Sequence, residues 1–68
     1  MKFRYDAEAD ALYIRFQEGN VEETDEVFLG VMLDVDDNGN LLGLEVLNAS
    51  SKLGKKPLTL EFEIPGIA

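Results

Sequence analysis

Cysteine, histidine and tryptophan are absent from this 68-residue chain, and only six residues are basic. Without cysteine there is no disulfide, no thiolate metal site and no thiol nucleophile. Without histidine the commonest general base and the commonest zinc ligand are missing. Ser50 and Ser51 have no imidazole to activate them, and are expected at the start of a short helix. Long apolar runs are lacking too. The longest nearly apolar stretch, residues 27–33, falls far short of the roughly 20 residues that span a bilayer. Lys2 and Arg4 are followed by Asp6, Glu8 and Asp10, with no apolar leader-type segment. The expectation is a cytoplasmic protein, and the Asn48-Ala49-Ser50 triplet is read as a chance glycosylation pattern.

What the chain has in quantity is acid. Fourteen Asp and Glu give a net charge of −8. Such a surface repels phosphate backbones and anionic lipid, so neither nucleic acid nor membrane is expected as a direct partner. It suits solubility, and it suits a basic protein partner.

Alternation with period 2 dominates the chain. Phe3 and Tyr5 share one face; Leu12, Ile14 and Phe16 share another. Val31, Leu33 and Val35 alternate with polar or exposed positions, as do Leu42, Leu44 and Val46, and Leu58, Leu60, Phe62 and Ile64. One apolar and one polar face per segment describes half-buried antiparallel strands. Residues 21–28 are rich in acid and alternate weakly; a short edge strand near 23–28 is preferred over an irregular segment. The reading is a mainly β domain, α+β at most. It is an antiparallel five- or six-stranded sheet or roll of hairpins, with one short helical turn near 48–54. Asn48 is the expected N-cap of that turn, Lys52 suits its last turn and Gly54 its C′ position. All 68 residues form one domain.

Two hairpins follow from register. Pairing Tyr5 with Leu12 sets Phe3 opposite Ile14, and Arg4 opposite Tyr13 on the other face. Asn38-Gly39 tolerates positive φ at both positions and marks a second hairpin. A two-residue loop there, or a four-residue one, pairs Val35 with Leu42, Leu33 with Leu44 and Val31 with Val46. An odd loop would set apolar against polar residues, so parity argues against it.

The apolar faces hold about fifteen large side chains, and one helical turn cannot cover them. The sheet must curl on itself or pack against a second subunit. A chain of this length buries only about 60% of its unfolded surface, which favours a homodimer. Residues 58–64 are the strand most suited to exchange between subunits.

One stretch matches a metal-binding pattern in full. Asp34, Asp36 and Asn38, then Gly39, then Glu45 after five residues reproduce the spacing of a calcium loop. Such a loop needs a flanking helix on each side, whereas here the flanks alternate as strands. An Asx-rich turn is the preferred reading, with metal or small-ligand binding by Asp34, Asp36, Asn38 and Glu45 as the alternative. Catalytic carboxylates would need a concave site and shifted pKa values, and no pattern points to one. Arg4 and Arg15 are expected in cross-strand ion pairs, with Tyr13 beside them as a small interaction patch. No catalytic residue and no cofactor is expected.

The opening Lys2-Phe3-Arg4-Tyr5-Asp6, then Glu8-Ala9-Asp10-Ala11-Leu12-Tyr13-Ile14-Arg15, and the stretches 31–36 and 43–50 with Gly39, resemble a family of small bacterial and archaeal proteins. That family is catalogued as domain of unknown function 2283. The resemblance covers residues 1–53. It implies no activity, cofactor or active site, so no functional residue is carried over. An acidic turn ending in glycine is typical of the family, which favours a hairpin at residues 36–39. Some members lie beside small genes resembling toxins, and this implies an antitoxin-like role. The resulting expectation is a non-enzymatic acidic interaction module, an antitoxin-like partner of a small basic protein.

Overall fold

A computed structural model describes residues 1–54 together with Glu61 and Glu63. The strands are β1 (Lys2–Asp6), β2 (Ala11–Arg15), β3 (Glu23–Phe28), β4 (Val31–Val35) and β5 (Leu41–Leu47), followed by the helix α1 (Ala49–Leu53). They form one antiparallel sheet in the order β1-β2-β5-β4-β3. Half of the described residues are strand, as the period-2 pattern predicts. The sheet is open, with β1 and β3 at its edges. The strand expected at residues 58–64, and its exchange between subunits, lie outside the described residues.

The first hairpin has the expected register: Tyr5 opposite Leu12, Phe3 opposite Ile14, Arg4 opposite Tyr13. The second matches in its outer part, with Val31 opposite Val46 and Leu33 opposite Leu44. Near the turn it departs. Val35 lies opposite Leu41 rather than Leu42, because the register shifts between Asp34 and Val35. Five residues, 36–40, link the two strands, an odd number. Parity forbids an odd loop only in an unbroken ladder. Here a β-bulge gives β5 one extra residue, Leu42, and the pairing beyond it recovers. The loop is an Asx turn: the Asp36 carboxylate accepts from the N–H groups of Asn38 (2.9 Å) and Asn40 (2.8 Å). Gly39 takes φ 82°, where a side chain would be strained.

Helix α1 forms where expected but is capped differently. Asn48 is left-handed (φ 52°) and its side chain caps nothing. The cap comes from Asp10, forty residues earlier. Its carboxylate accepts from the Ser50 N–H (3.0 Å) and the Ser50 hydroxyl (2.7 Å), and its carbonyl from the Ala49 N–H (2.9 Å). Lys52 lies in the last turn and reaches back to the Leu47 carbonyl. Gly54 ends the helix with φ 96°.

Four strands, β1, β2, β5 and β4, bring a band of apolar side chains to one face: Phe3 and Tyr5, Leu12 and Ile14, Leu44 and Val46, Val31 and Leu33. Among the described residues only Leu42, Val46 and Ala49 are fully buried apolar side chains. Leu12, Ile14, Val31, Leu33 and Leu44 are half-buried. Tyr5 is 52% exposed and Phe28, beside Val31 at the β3 edge, 71%. Among the described residues no helix is long and apolar enough to cross a membrane.

Candidate functional site

The polar face of the sheet is organised around Tyr13. Its row runs from Arg4 through Tyr13 to Glu45 and Met32; the neighbouring row runs from Lys2 through Arg15 and Gly43 to Asp34. Tyr13 leans out of its row and across Gly43. A Cβ at Gly43 would lie 2.5 Å from the Tyr13 hydroxyl, so only glycine lets the ring pass over β5. The hydroxyl then donates to Asp34 Oδ2 on β4 (3.2 Å), while Thr24 on β3 donates to Asp34 Oδ1 (2.6 Å). One carboxylate thus joins β2, β3 and β4.

Arg15 stands at the other end of this network. Its Nε donates to the Gln17 carbonyl (2.9 Å), its Nη2 to the Gly19 carbonyl (3.1 Å) and its Nη1 to the Tyr13 hydroxyl (3.5 Å). Glu18 Oε2 lies 3.6 Å from Nη2. The Tyr13 hydrogen bond, then the nearby charges of Glu18 and Asp34, raise the guanidinium further above its ordinary range. Among the described residues the expected cross-strand ion pairs do not form. Arg15 pairs three residues along its own chain, and Arg4 has no carboxylate at ion-pair distance among the described residues. The register is the reason: Lys2 faces Arg15 and Tyr13 faces Arg4, so neither arginine has an acid across from it.

Two hollows open on this face. One, of about 300 Å³, is lined by Lys2, Arg4, Tyr13, Arg15 and Glu18. The other, of about 410 Å³, shares Arg4 and Tyr13 and adds Asp6, Ala11 and Glu45 among its walls. Tyr13 and the two arginines, singled out by pattern as a small patch, therefore do come together.

The calcium-pattern residues are distributed differently. Asp34 and Glu45 share the polar face, and Asp34 is engaged by Tyr13 and Thr24. Asp36 and Asn38 sit in the hairpin loop, where both Asp36 oxygens are occupied by Asn38 and Asn40. Hydrogen bonds from Asn40, then Asn38 and Gly39, hold the Asp36 carboxyl below the usual carboxylate range. Among the described residues no three acids gather at metal-binding distance.

Pattern reading assigns no role to Asp10, which lies in the connection between β1 and β2. Besides capping α1 it accepts from the Tyr5 hydroxyl (2.6 Å). That bond and those from Ser50 lower its pKa, and the same bond raises that of Tyr5. The available signal was the Tyr5-Asp6-x-Glu8-x-Asp10 motif itself.

No curated protein and no solved structure matches the chain. A family model does, over residues 2–50, and those residues include β1 to β5, Tyr13, Gly43 and the Asp10–Ser50 tie. The match covers most of the chain, and the protein belongs to the family described as protein of unknown function DUF2283.

Proposed function

We propose that this domain is a non-enzymatic interaction module that pairs with a second copy of itself through the apolar face of its sheet. The carrying observation is that face: one layer of strands whose large apolar side chains are half-buried or exposed, with Val46 alone among its paired positions fully buried. A sheet face left partly open in this way supports contact with another protein. The edges suit pairing less well. β3 carries Glu23, Asp25 and Glu26, and β1 carries Lys2, Arg4 and Asp6, charges that discourage strand addition. The second copy therefore belongs on the face.

An acidic dimer of this kind suits a small basic protein as its further partner, in an antitoxin-like role and a cytoplasmic setting. The net charge of −8 supports that choice, and so does the exposed acidic run from Glu22 to Glu26. Sedimentation equilibrium tests the self-association. A mass of twice 7.6 kDa at micromolar concentration is expected. A monomer throughout the range to about 1 mM, weaker than any specific complex needs, sinks the reading.

A further inference from the structure

In a chain of 14 acids and six bases, three of the six bases stand on one face of one hairpin. Lys2 is directly opposite Arg15, and Arg4 lies one step along the same face. Like charges directly opposite one another destabilise a sheet. Neutralising carboxylates would relieve the strain, and the chain has many. Yet among the described residues Lys2 and Arg4 have none at ion-pair distance. Arg15 has only Glu18, at 3.6 Å, on a side chain that is 83% exposed. These groups and Tyr13 line the open hollow of about 300 Å³. Arg15 is held in place by the Gln17 and Gly19 carbonyls, so it is oriented before anything enters.

We propose that this hollow binds the phosphate group of a small molecule. Arg4 and Lys2 supply exposed charged donors, and Arg15 one that backbone carbonyls hold in place. A guanidinium matches phosphate oxygens in geometry as well as charge. Glu18 is the resident competitor: a single, solvated carboxylate that a doubly charged phosphate displaces. The surrounding charge of −8 repels extended polyanions, so the ligand is compact. The hollow lies on the polar face, opposite the apolar one, and stays open in a face-to-face dimer.

The test is an amide chemical-shift titration of the full chain with inorganic phosphate, against sodium chloride at equal ionic strength. Saturable shifts confined to residues 2–5 and 13–18 are expected with phosphate and not with chloride. The Lys2→Ala/Arg4→Ala double variant, which removes no hydrogen bond that holds the sheet, should bind at least about tenfold more weakly, the weight of lost charge-assisted bonds. Glu18→Gln should bind more tightly, since the competitor is gone. Shifts that chloride reproduces, or phosphate binding that the double variant leaves unchanged, overturn the proposal.

Discussion

Asp10 joins parts of the chain that lie far apart in sequence. It sits at positive φ, accepts from Tyr5 and Ser50, and ties the first hairpin to the helix forty residues away. Its folded pKa is depressed, by the Tyr5 hydroxyl first and Ser50 next. A depressed acid stabilises the fold above its unfolded value, 3.8, and the contribution disappears as pH falls through the folded value. Tyr5 runs the opposite way. Its pKa is raised above 10.0 by Asp10, so its contribution is complete below that value and is lost as pH rises past the folded one. Thermal melts of the native chain should therefore weaken below about pH 4 and again in strong alkali. In Asp10→Asn the melting temperature is expected to be lower at neutral pH, with a shallower acid slope. Some slope should persist, because Asp36 is depressed by its own turn. An Asp10→Asn profile parallel to the native one across the acid range would show that the tie carries no such linkage. Residues 10 and 50 are far apart in the chain, and no periodicity relates them. Their contact is a product of the β2–β5 pairing, which is why local capping rules pointed to Asn48 instead.

At the scale of elements, the second hairpin shows what alternation can and cannot convey. Val31, Leu33, Leu44 and Val46 pair as period 2 requires, since a one-residue slip would turn every apolar side chain to the polar face. The bulge at Leu42 escapes that logic, because an inserted residue leaves the pattern beyond it intact. Its trace is the Leu41-Leu42 doublet, two apolar residues in succession where strict alternation allows one. The doublet divides sharply in space. Leu41 is 48% exposed, whereas Leu42 is 1% exposed and packs so closely on Gly19 that a Cβ there would lie 2.7 Å from Leu42 Cδ2. Leu42→Ala should thus cost about 3 kcal/mol, as for a buried leucine, and Leu41→Ala within about 0.5 kcal/mol of nothing. Urea unfolding of the two variants checks this; equal losses would place the bulge elsewhere. The polar-face site was legible to a similar degree. Tyr13 and the arginines could be set on one face from register. The role of Gly43 could not, since a glycine in a strand gives no sign that a ring two residues along the neighbouring strand will lie over it.

For the whole molecule the governing fact is area. A domain of this size buries about 60% of its unfolded surface and is marginal by itself. In the described residues only Leu42, Val46 and Ala49 are fully buried apolar side chains, while the apolar face stays partly open to solvent. If a second copy covers that face, folding and association are one equilibrium, and stability depends on concentration. Each tenfold rise in protein concentration then adds about 1.4 kcal/mol per dimer. For a unit of this size that raises the melting temperature on the order of 4 °C. Ile14 lies mid-face, opposite Phe3 on one side and Leu44 on the other. Ile14→Asp places a charge where the partner would exclude water, so that variant should melt lower and show no dependence on concentration. The polar face remains outside the contact, so raising salt should leave the native concentration slope nearly unchanged. Melts of the native chain that superimpose from 10 to 1000 μM, on the order of a hundredfold span, would place the stabilising contacts within a single chain.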